Sequence, residues 1–181
     1  LLNVSHLIGD EPFIYSFSDD FIIARPVSRF KQMIKIYEEF GCSVLSSIRA
    51  TRDEDYDRYG FAGGKQIREG VIDVNQIIEK PGKKAAPSDL ANVSSTLLTP
   101  DIFGYLKKAQ ENLKESEELY YNDALKLMLG DGKKVLAAEI KDGKYYDTGN
   151  KIEYMKTVVE LALEHKDVNG EFRQFLKDLK L

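Results

Sequence analysis

The chain has 181 residues, of which 43% are hydrophobic, so it is long enough to bury a core and is predicted to form one domain. Its 26 basic and 30 acidic residues leave a net charge of -4, which excludes a broadly basic face for nucleic acid. The single cysteine, Cys42, excludes a disulfide framework, and no apolar run approaches a membrane span, so we expect a cytoplasmic protein that contacts neither membrane nor nucleic acid.

Strand and helix patterns alternate along the first half of the chain. The opening strand leads into "YSFSDDF", and "RFKQMIKIYEEF" has the apolar spacing of a helix that Ser28 caps and Gly41 ends. Strands are predicted for "CSVLSSIRA", for two halves of "KQIREGVIDVNQIIEK" and for "LANVSSTLL".

The second half continues the pattern. Pro100 is placed for the first turn of a helix through "DIFGYLKKAQENL", and a second helix fits "YNDALKLMLG". A strand at "KKVLAAEI" precedes a long helix from Asn150 and a shorter helical segment, "EFRQFLKDL". This alternation predicts an α/β fold with a mixed, mostly parallel sheet flanked by helices.

Three polar clusters follow predicted strands, where ligands bind in such sheets. They are Asp19 with Asp20, the "EKPG" stretch at residues 79–82, and "YYDTGN" at residues 145–150. A carboxylate beside an ammonium suits a polyol and a phosphate. Each cluster also has an ordinary interpretation: an acidic turn, an exposed Pro-Gly turn and a helix N-cap, respectively.

Taken together, these clusters resemble the UTP-glucose-1-phosphate uridylyltransferases, the UDP-glucose pyrophosphorylases of bacteria and archaea. The resemblance extends to about Glu164. It is carried by "LIGDEPFIYSFSDD", "KQMIKIYEEFGCSVL", "DRYGFAGG", "IIEKPGKKAAPSDLANVSSTLLTPDIF", "ELYYNDALKLML" and "YYDTGNKIEYMKTVVELAL".

The resemblance implies a nucleotide-diphospho-sugar transferase fold, which is Rossmann-like, and transfer of a uridylyl group from UTP to glucose 1-phosphate with release of pyrophosphate. It implies Mg²⁺ as the cofactor, since hard carboxylate and phosphate oxygens suit this ion. The Gly-rich nucleotide loop of the family has no counterpart in this chain. The chain also does not begin with methionine, so we expect it to start inside a longer protein.

Site residues follow from the resemblance, position by position. Asp19 and Asp147 are similar to the two metal-binding acidic positions and are expected to be catalytic, while Asp20 is a helper or a turn residue. Lys80 corresponds to the lysine that binds the sugar phosphate, and Glu79 to the acid that takes sugar hydroxyls.

Four further positions are assigned less directly. Gly60 corresponds to a glycine whose backbone approaches the sugar. Glu118 and Asp123 are candidate sugar contacts, although Asp123 also suits a helix start. Asn92 replaces an aliphatic residue, and the four residues 93–96 (Val-Ser-Ser-Thr) stand where the family often has Val-Gly-Arg-Tyr, so the choice of glucose is less firmly implied than the reaction.

The implied organisation is the C-terminal two-thirds of a nucleotidyltransferase domain over residues 1–165 and a helical tail over residues 166–181. Family members commonly form dimers or tetramers, so a homo-oligomer is expected, with Phe172 and Phe175 of the tail against another chain. Two other functions stay open: another sugar-1-phosphate nucleotidyltransferase, using dTTP with glucose or UTP with N-acetylglucosamine, and a sugar-phosphate-binding module without catalysis.

Overall fold

The computed structural model describes residues 1–114 and 117–179. Within these ranges the strands are β1 (Phe13–Ser16), β2 (Asp20–Ala24), β3 (Ser43–Arg49), β4 (Gly60–Arg68), β5 (Val71–Glu79), β6 (Leu90–Leu98), β7 (Val135–Glu139) and β8 (Gly143–Asp147). The α-helices are α1 (Ser5–Ile8), α2 (Arg29–Phe40), α3 (Ile102–Glu111), α4 (Tyr121–Gly130), α5 (Lys151–Glu164) and α6 (Asn169–Asp178), and 3-10 helices span Leu2–Val4 and Asp53–Asp57.

Helix α2 begins and ends where its sequence predicts. The Ser28 hydroxyl accepts a hydrogen bond from the Lys31 N–H at 3.4 Å, which satisfies one of the free donors of the first turn. Gly41 ends the helix at φ 64°, a left-handed conformation that glycine adopts without strain. Met33 and Ile36 form the buried face between these ends.

The central sheet has six strands in the order β1-β6-β3-β7-β5-β4, and the start of β4 also pairs with β6. The α/β class with a mixed sheet flanked by helices is confirmed. The expected parallel character is met only by β3 and β7, because every other pairing among the described strands is antiparallel. The physical reason is that β4 and β5 form a hairpin, while β6 runs opposite to all three of its neighbours.

A second, two-stranded sheet pairs β2 with β8 antiparallel, with Asp20 opposite Asp147. This ribbon was not predicted from the sequence, because it pairs two short segments that lie far apart in the chain. Its Ile22 is buried in the main core, while Tyr146 is buried against Phe21 and donates a hydrogen bond to Glu160 of α5. The ribbon therefore carries two of the three predicted polar clusters to one end of the molecule.

Apolar residues fill both faces of the central sheet. Helices α3 and α4 cover one face, where Leu106, Leu125 and Met128 are almost fully buried. Helix α2 and the ribbon cover the other face, with Met33 and Phe61 inaccessible to solvent. The sheet is thus fixed between two hydrophobic layers.

Helices α5 and α6 close the described part of the chain. Asn150 caps α5 by accepting hydrogen bonds from two N–H groups of the first turn at 3.0 and 3.2 Å. Both helices keep large apolar side chains in solvent, including Ile152 (64% exposed), Met155 (60%) and Phe175 (55%). Across residues 1–114 and 117–179, no helix is both long enough and apolar enough to cross a membrane.

Candidate functional site

A cavity of about 810 Å³ opens beside the start of β4, the end of β5 and the start of α4. Its polar lining comes from residues of both the central sheet and α4. These include Arg58, Tyr59, Gly60, Glu79, Lys80, Asn92, Asn122 and Asp123. Aromatic and aliphatic side chains, including those of Tyr15, Phe17, Leu45, Leu106, Leu119 and Tyr121, form the rest of the wall. Such a mixture of apolar wall and convergent polar groups is typical of a small-molecule site.

Sheet pairing brings three of the predicted sugar-binding positions side by side. Gly60 pairs with Glu79 on one side and with Asn92 on the other. A Cβ atom at Gly60 would lie 2.7 Å from Oε1 of Glu79, so only glycine leaves this carboxylate in place. The Asn122 amide donates to the same oxygen at 2.6 Å, and the Ser47 hydroxyl donates to Oδ1 of Asn92 at 3.0 Å.

Lys80 follows Glu79 at the rim of the cavity and has an unusual backbone. Its φ is 45°, a region that non-glycine residues rarely adopt, and its N–H donates to the Tyr59 carbonyl at 3.0 Å. Within the described residues its ammonium takes part in no ion pair, although it lines the cavity. Strained backbone at a cavity rim is typical of a functional position.

The two other predicted clusters meet at the end of the ribbon. Thr148 donates to the Asp19 carbonyl from its N–H at 2.8 Å and from its hydroxyl at 2.7 Å. The position of a Cβ at Gly149 would lie 3.2 Å from Oδ2 of Asp19 and 3.4 Å from Oδ1 of Asp147. Both carboxylates thus lie beside Gly149, at the end of an antiparallel ribbon rather than at the carboxyl edge of a parallel sheet, and a shared Mg²⁺ stays a prediction.

Each oxygen of Asp147 has a separate partner. Oδ1, which faces Asp19 across Gly149, accepts a hydrogen bond from the Asn150 N–H at 3.2 Å. Oδ2 accepts a hydrogen bond from the Arg58 guanidinium, with which it forms an ion pair. Arg58 also lines the cavity, so it connects the acidic cluster with the proposed sugar pocket.

Asp20 is directed inwards, away from its neighbour Asp19. Its Oδ2 accepts hydrogen bonds from the Ser94 N–H at 2.9 Å and from the Tyr145 hydroxyl at 3.0 Å, while Oδ1 is buried without a partner among the described residues. Burial raises the pKa of the Asp20 carboxyl, although both hydrogen bonds act to lower it. Asp20 thus fixes the ribbon to β6 instead of facing the cavity.

The carboxylate pair of Asp19 and Asp147 fits a magnesium ion. One hard carboxylate oxygen of each residue lies within 3.4 Å of the position that a Cβ would take at the side-chain-free Gly149. Among residues 1–114 and 117–179, no three His, Cys, Asp or Glu side chains form a metal-binding group. Mg²⁺ takes one or two carboxylates and leaves its other positions to phosphates and water, so a pair is sufficient.

The remaining candidates divide between two places. Asp123 lines the cavity and forms an ion pair with Lys126 at 3.4 Å. Glu118 does not line the cavity; it is exposed in a neighbouring groove, where it accepts a hydrogen bond from the Tyr120 hydroxyl at 3.0 Å. The structure therefore groups Asp123, but not Glu118, with the sugar-pocket residues.

Two polar residues of the site were not predicted from the sequence. Arg58 lies two residues before Gly60, and a guanidinium near a predicted sugar-binding glycine is a usable signal for an anion site. Asn122 precedes Asp123 at the start of α4, and no spacing in the sequence connects it with Glu79. Asn122 and Glu79 come together only in the folded chain, where α4 packs beside the sheet.

Comparison with known proteins agrees with this geometry. The family model described as "Nucleotidyl transferase" matches residues 1–163, so the chain belongs to the nucleotidyl transferase family. Among curated relatives, a UTP-glucose-1-phosphate uridylyltransferase of Staphylococcus epidermidis is 33% identical over 174 residues, which are 96% of this chain and 58% of the relative. The enzyme of the same name from Pseudomonas aeruginosa is 37% identical over 151 residues, 83% of this chain and 52% of the relative.

Solved structures show the same fold. A UDP-glucose pyrophosphorylase in complex with UDP-glucose superposes with a TM-score of 0.79 at 32% identity, over 91% of this chain and 61% of that one. A UTP-bound enzyme from Acinetobacter baumannii gives a TM-score of 0.84 at 27% identity, over 99% of this chain and 60% of that one. The chain spans less than two thirds of the length of each of these relatives.

Proposed function

We propose that this chain supplies the sugar-phosphate and metal part of a UTP-glucose-1-phosphate uridylyltransferase. The observation that carries the proposal is the pairing of Gly60 with both Glu79 and Asn92, beside Lys80. The named relatives and the UDP-glucose complex of a similar protein support the same reaction. The overall transfer would give UDP-glucose and pyrophosphate from UTP and glucose 1-phosphate.

In this proposal the cavity binds the sugar phosphate through two kinds of group. Glu79, oriented by Asn122, accepts hydrogen bonds from sugar hydroxyls, and Asn92 and Asp123 contact other hydroxyls. Lys80 places its ammonium against the phosphate, which positions the attacking oxygen. Gly60, which has no side chain, lets the Glu79 carboxylate lie against the backbone in the position from which it contacts the sugar.

Asp19 and Asp147 are the proposed holders of Mg²⁺, the proposed cofactor. A bound Mg²⁺ would neutralise the phosphate oxygens and align them with the attacking group. The chain itself contributes the rigidity of this pair, because Thr148 fixes the Asp19 backbone and Asn150 fixes one oxygen of Asp147. These contacts support catalytic roles for Asp19 and Asp147, and Lys80 is the third proposed catalytic residue because it lines the cavity.

The choice of sugar and base is the finer part of the proposal. Asn92, Ser94, Ser95 and Thr96 line a small polar cavity of about 90 Å³ beside the main one, and the resemblance leads one to expect bulkier residues, Arg and Tyr, at positions 95 and 96. This departure makes N-acetylglucosamine 1-phosphate and dTTP the substrates to test beside glucose 1-phosphate and UTP.

The test is turnover by the protein that carries this chain. Pyrophosphate and nucleotide sugar are measured with UTP or dTTP, each with glucose 1-phosphate or N-acetylglucosamine 1-phosphate, in Mg²⁺ or in a chelator. We expect UDP-glucose to form fastest, to require the metal, and to be lost in Asp19→Asn and Asp147→Asn. In Lys80→Ala the KM for the sugar phosphate should rise far more than that for UTP. Binding of the sugar phosphate without pyrophosphate release from either nucleotide would instead indicate a non-catalytic module.

We further propose a cytoplasmic homo-oligomer, a dimer or tetramer, with a nucleotidyltransferase unit over residues 1–165 and an assembling tail over residues 166–181. The support is the exposed apolar surface of α5 and α6, in which Phe172 is partly and Phe175 mostly accessible. Sedimentation with and without residues 167–181 tests the tail. Unchanged assembly after the deletion would reject this role.

A further inference from the structure

The positive charge of Arg58 lies against the acidic cluster, where it balances the charge of Asp147. Its guanidinium pairs with Oδ2 of Asp147, and both side chains are largely shielded, at 27% and 20% exposure. The carboxylates of Asp19 and Asp147 both lie beside Gly149 in this corner, while the neighbouring Asp20 carboxyl is directed inwards to Ser94. Arg58 therefore offsets part of a concentrated negative charge.

The same arginine also belongs to the cavity. It lines the cavity together with Lys80 and Glu79, and its Cζ atom lies 5.4 Å from the centroid of the Tyr59 ring, at the cavity wall. The long side chain of arginine has several rotatable bonds, and its forked donors bind a phosphate as well as they bind a carboxylate. One side chain can thus serve the acidic cluster and an anion in the cavity in turn.

We propose that Arg58 is a positioning residue that couples cation binding to phosphate binding. In the cation-free chain Arg58 neutralises Asp147. When a divalent cation takes the Asp19 and Asp147 carboxylates, Arg58 leaves Asp147 and binds the phosphate of the sugar phosphate beside Lys80. This inference rests on the proposed function. It adds that the cation and the sugar phosphate each strengthen the binding of the other.

Two consequences separate this role from simple charge balance. Removal of the guanidinium takes away a competitor, so the cation alone should bind more tightly. In the wild type, the cation frees Arg58 to bind the phosphate. Without the guanidinium this contact cannot form, so the cation should no longer strengthen sugar-phosphate binding. Linkage requires the two ligands to affect each other by the same factor, which makes this coupling measurable from either side.

The experiment measures Mn²⁺ binding by electron paramagnetic resonance, and glucose 1-phosphate binding by calorimetry with and without Mn²⁺, on the 181-residue chain. For Arg58→Gln we expect Mn²⁺ alone to bind about fivefold more tightly, and the coupling factor between the two ligands to fall towards one. Arg68→Gln is the matched control, because Arg68 forms an exposed ion pair with Glu39 at 2.7 Å on a distant part of β4. This control should leave both quantities unchanged.

Several results would overturn the inference. They are Mn²⁺ affinity that is unchanged or weakened in Arg58→Gln, coupling that persists at the wild-type value, and failure of both proteins to bind Mn²⁺. Asp19→Asn separates this inference from the proposed function. If Mn²⁺ binding depends on Asp19 but not on Arg58, only the inference fails. If Mn²⁺ binding does not depend on Asp19, the proposed carboxylate site itself fails.

Discussion

Thr148 holds the backbone of Asp19 with two hydrogen bonds, from its N–H at 2.8 Å and from its hydroxyl at 2.7 Å, both to the Asp19 carbonyl. This contact joins the segment before β2 to the segment after β8. The two acidic positions are therefore connected through the backbone as well as through the ribbon pairing of Asp20 with Asp147. The backbone positions of the two acidic residues are therefore set by the chain before any ligand binds.

Replacing Thr148 by Val removes the hydroxyl and keeps the shape and the backbone bond. We expect a loss of about 0.5–1.5 kcal/mol in the free energy of unfolding, the typical contribution of one hydrogen bond, and weaker Mn²⁺ binding because Asp19 is less constrained. Urea denaturation and Mn²⁺ titration measure the two effects. Thr51→Val is the control, since the Thr51 hydroxyl has no hydrogen-bond partner within the described ranges. Equal behaviour of the two variants would contradict this role of Thr148.

Gly60→Ala tests the close approach in the sugar pocket. The new methyl group would lie 2.7 Å from Oε1 of Glu79, and this flexible side chain would have to move away from Asn122. We expect glucose 1-phosphate affinity to fall about tenfold, which corresponds to about 1.4 kcal/mol, with little loss of stability. The control is Gly104→Ala, where a Cβ meets no atom within 4 Å. Wild-type affinity for glucose 1-phosphate in Gly60→Ala would show that sugar binding does not depend on the position of the Glu79 carboxylate.

Ser94 has a backbone conformation that suits glycine, and glycine is the usual family residue there. Its φ is 71°, and its buried hydroxyl has no partner among the described residues. Relief of left-handed strain, about 1–2 kcal/mol, exceeds the entropic cost of glycine, about 0.5–1 kcal/mol. Ser94→Gly should therefore stabilise the chain by about 0.5–1 kcal/mol in urea denaturation, whereas the same change at its neighbour Ser95, which has no positive φ, should destabilise it. Destabilisation by both changes would argue against strain at Ser94.

Asp20 makes stability depend on pH. Burial is the largest cause that raises its folded-state pKa above 3.8, so the folded chain keeps the proton after the unfolded chain has lost it. The contribution of Asp20 is thus most favourable below 3.8 and is lost as the pH rises through the folded-state pKa.

Asp20→Asn removes this dependence and can keep an acceptor for the Ser94 N–H. In a chelator, we expect the variant to gain stability relative to the wild type as the pH rises from about 4 to about 7. Urea denaturation at several pH values gives the difference. A difference that is constant with pH, or that falls as the pH rises, would mean that the Asp20 carboxylate is not destabilised by burial.

The elements and the site differ in how far the sequence predicts them. Helix α2 and strand β5 depend on local signals, such as the Ser28 cap and the apolar spacing, so they are predicted closely, whereas β4 begins at Gly60, five residues before its predicted start. Whether neighbouring strands run parallel or antiparallel depends on which strands pair. The alternation of strands and helices in the sequence does not determine that pairing. The antiparallel β6 therefore contradicts a pattern that favours parallel pairing.

The site shows the same division. Asp19, Asp147, Gly60, Glu79 and Lys80 follow from motifs that stand at fixed positions in the chain, and the fold brings them to one end of the molecule. Their hydrogen-bond and ion-pair partners depend on tertiary contacts between distant segments, which no local spacing encodes. They are Arg58 on Asp147, Asn122 on Glu79 and Tyr145 on Asp20.

The most direct test of the account is the binding of glucose 1-phosphate and of glucose to Lys80→Ala. The Lys80 ammonium lines the cavity without an ion pair among the described residues, so a phosphate is its expected partner. Calorimetry should show glucose 1-phosphate affinity reduced at least about tenfold, while competition measurements by NMR should show glucose binding unchanged. Lys84→Ala, at an exposed lysine nearby, should leave both affinities unaltered. An equal loss for both ligands, or no loss for glucose 1-phosphate, would contradict the assignment of this cavity to a sugar phosphate.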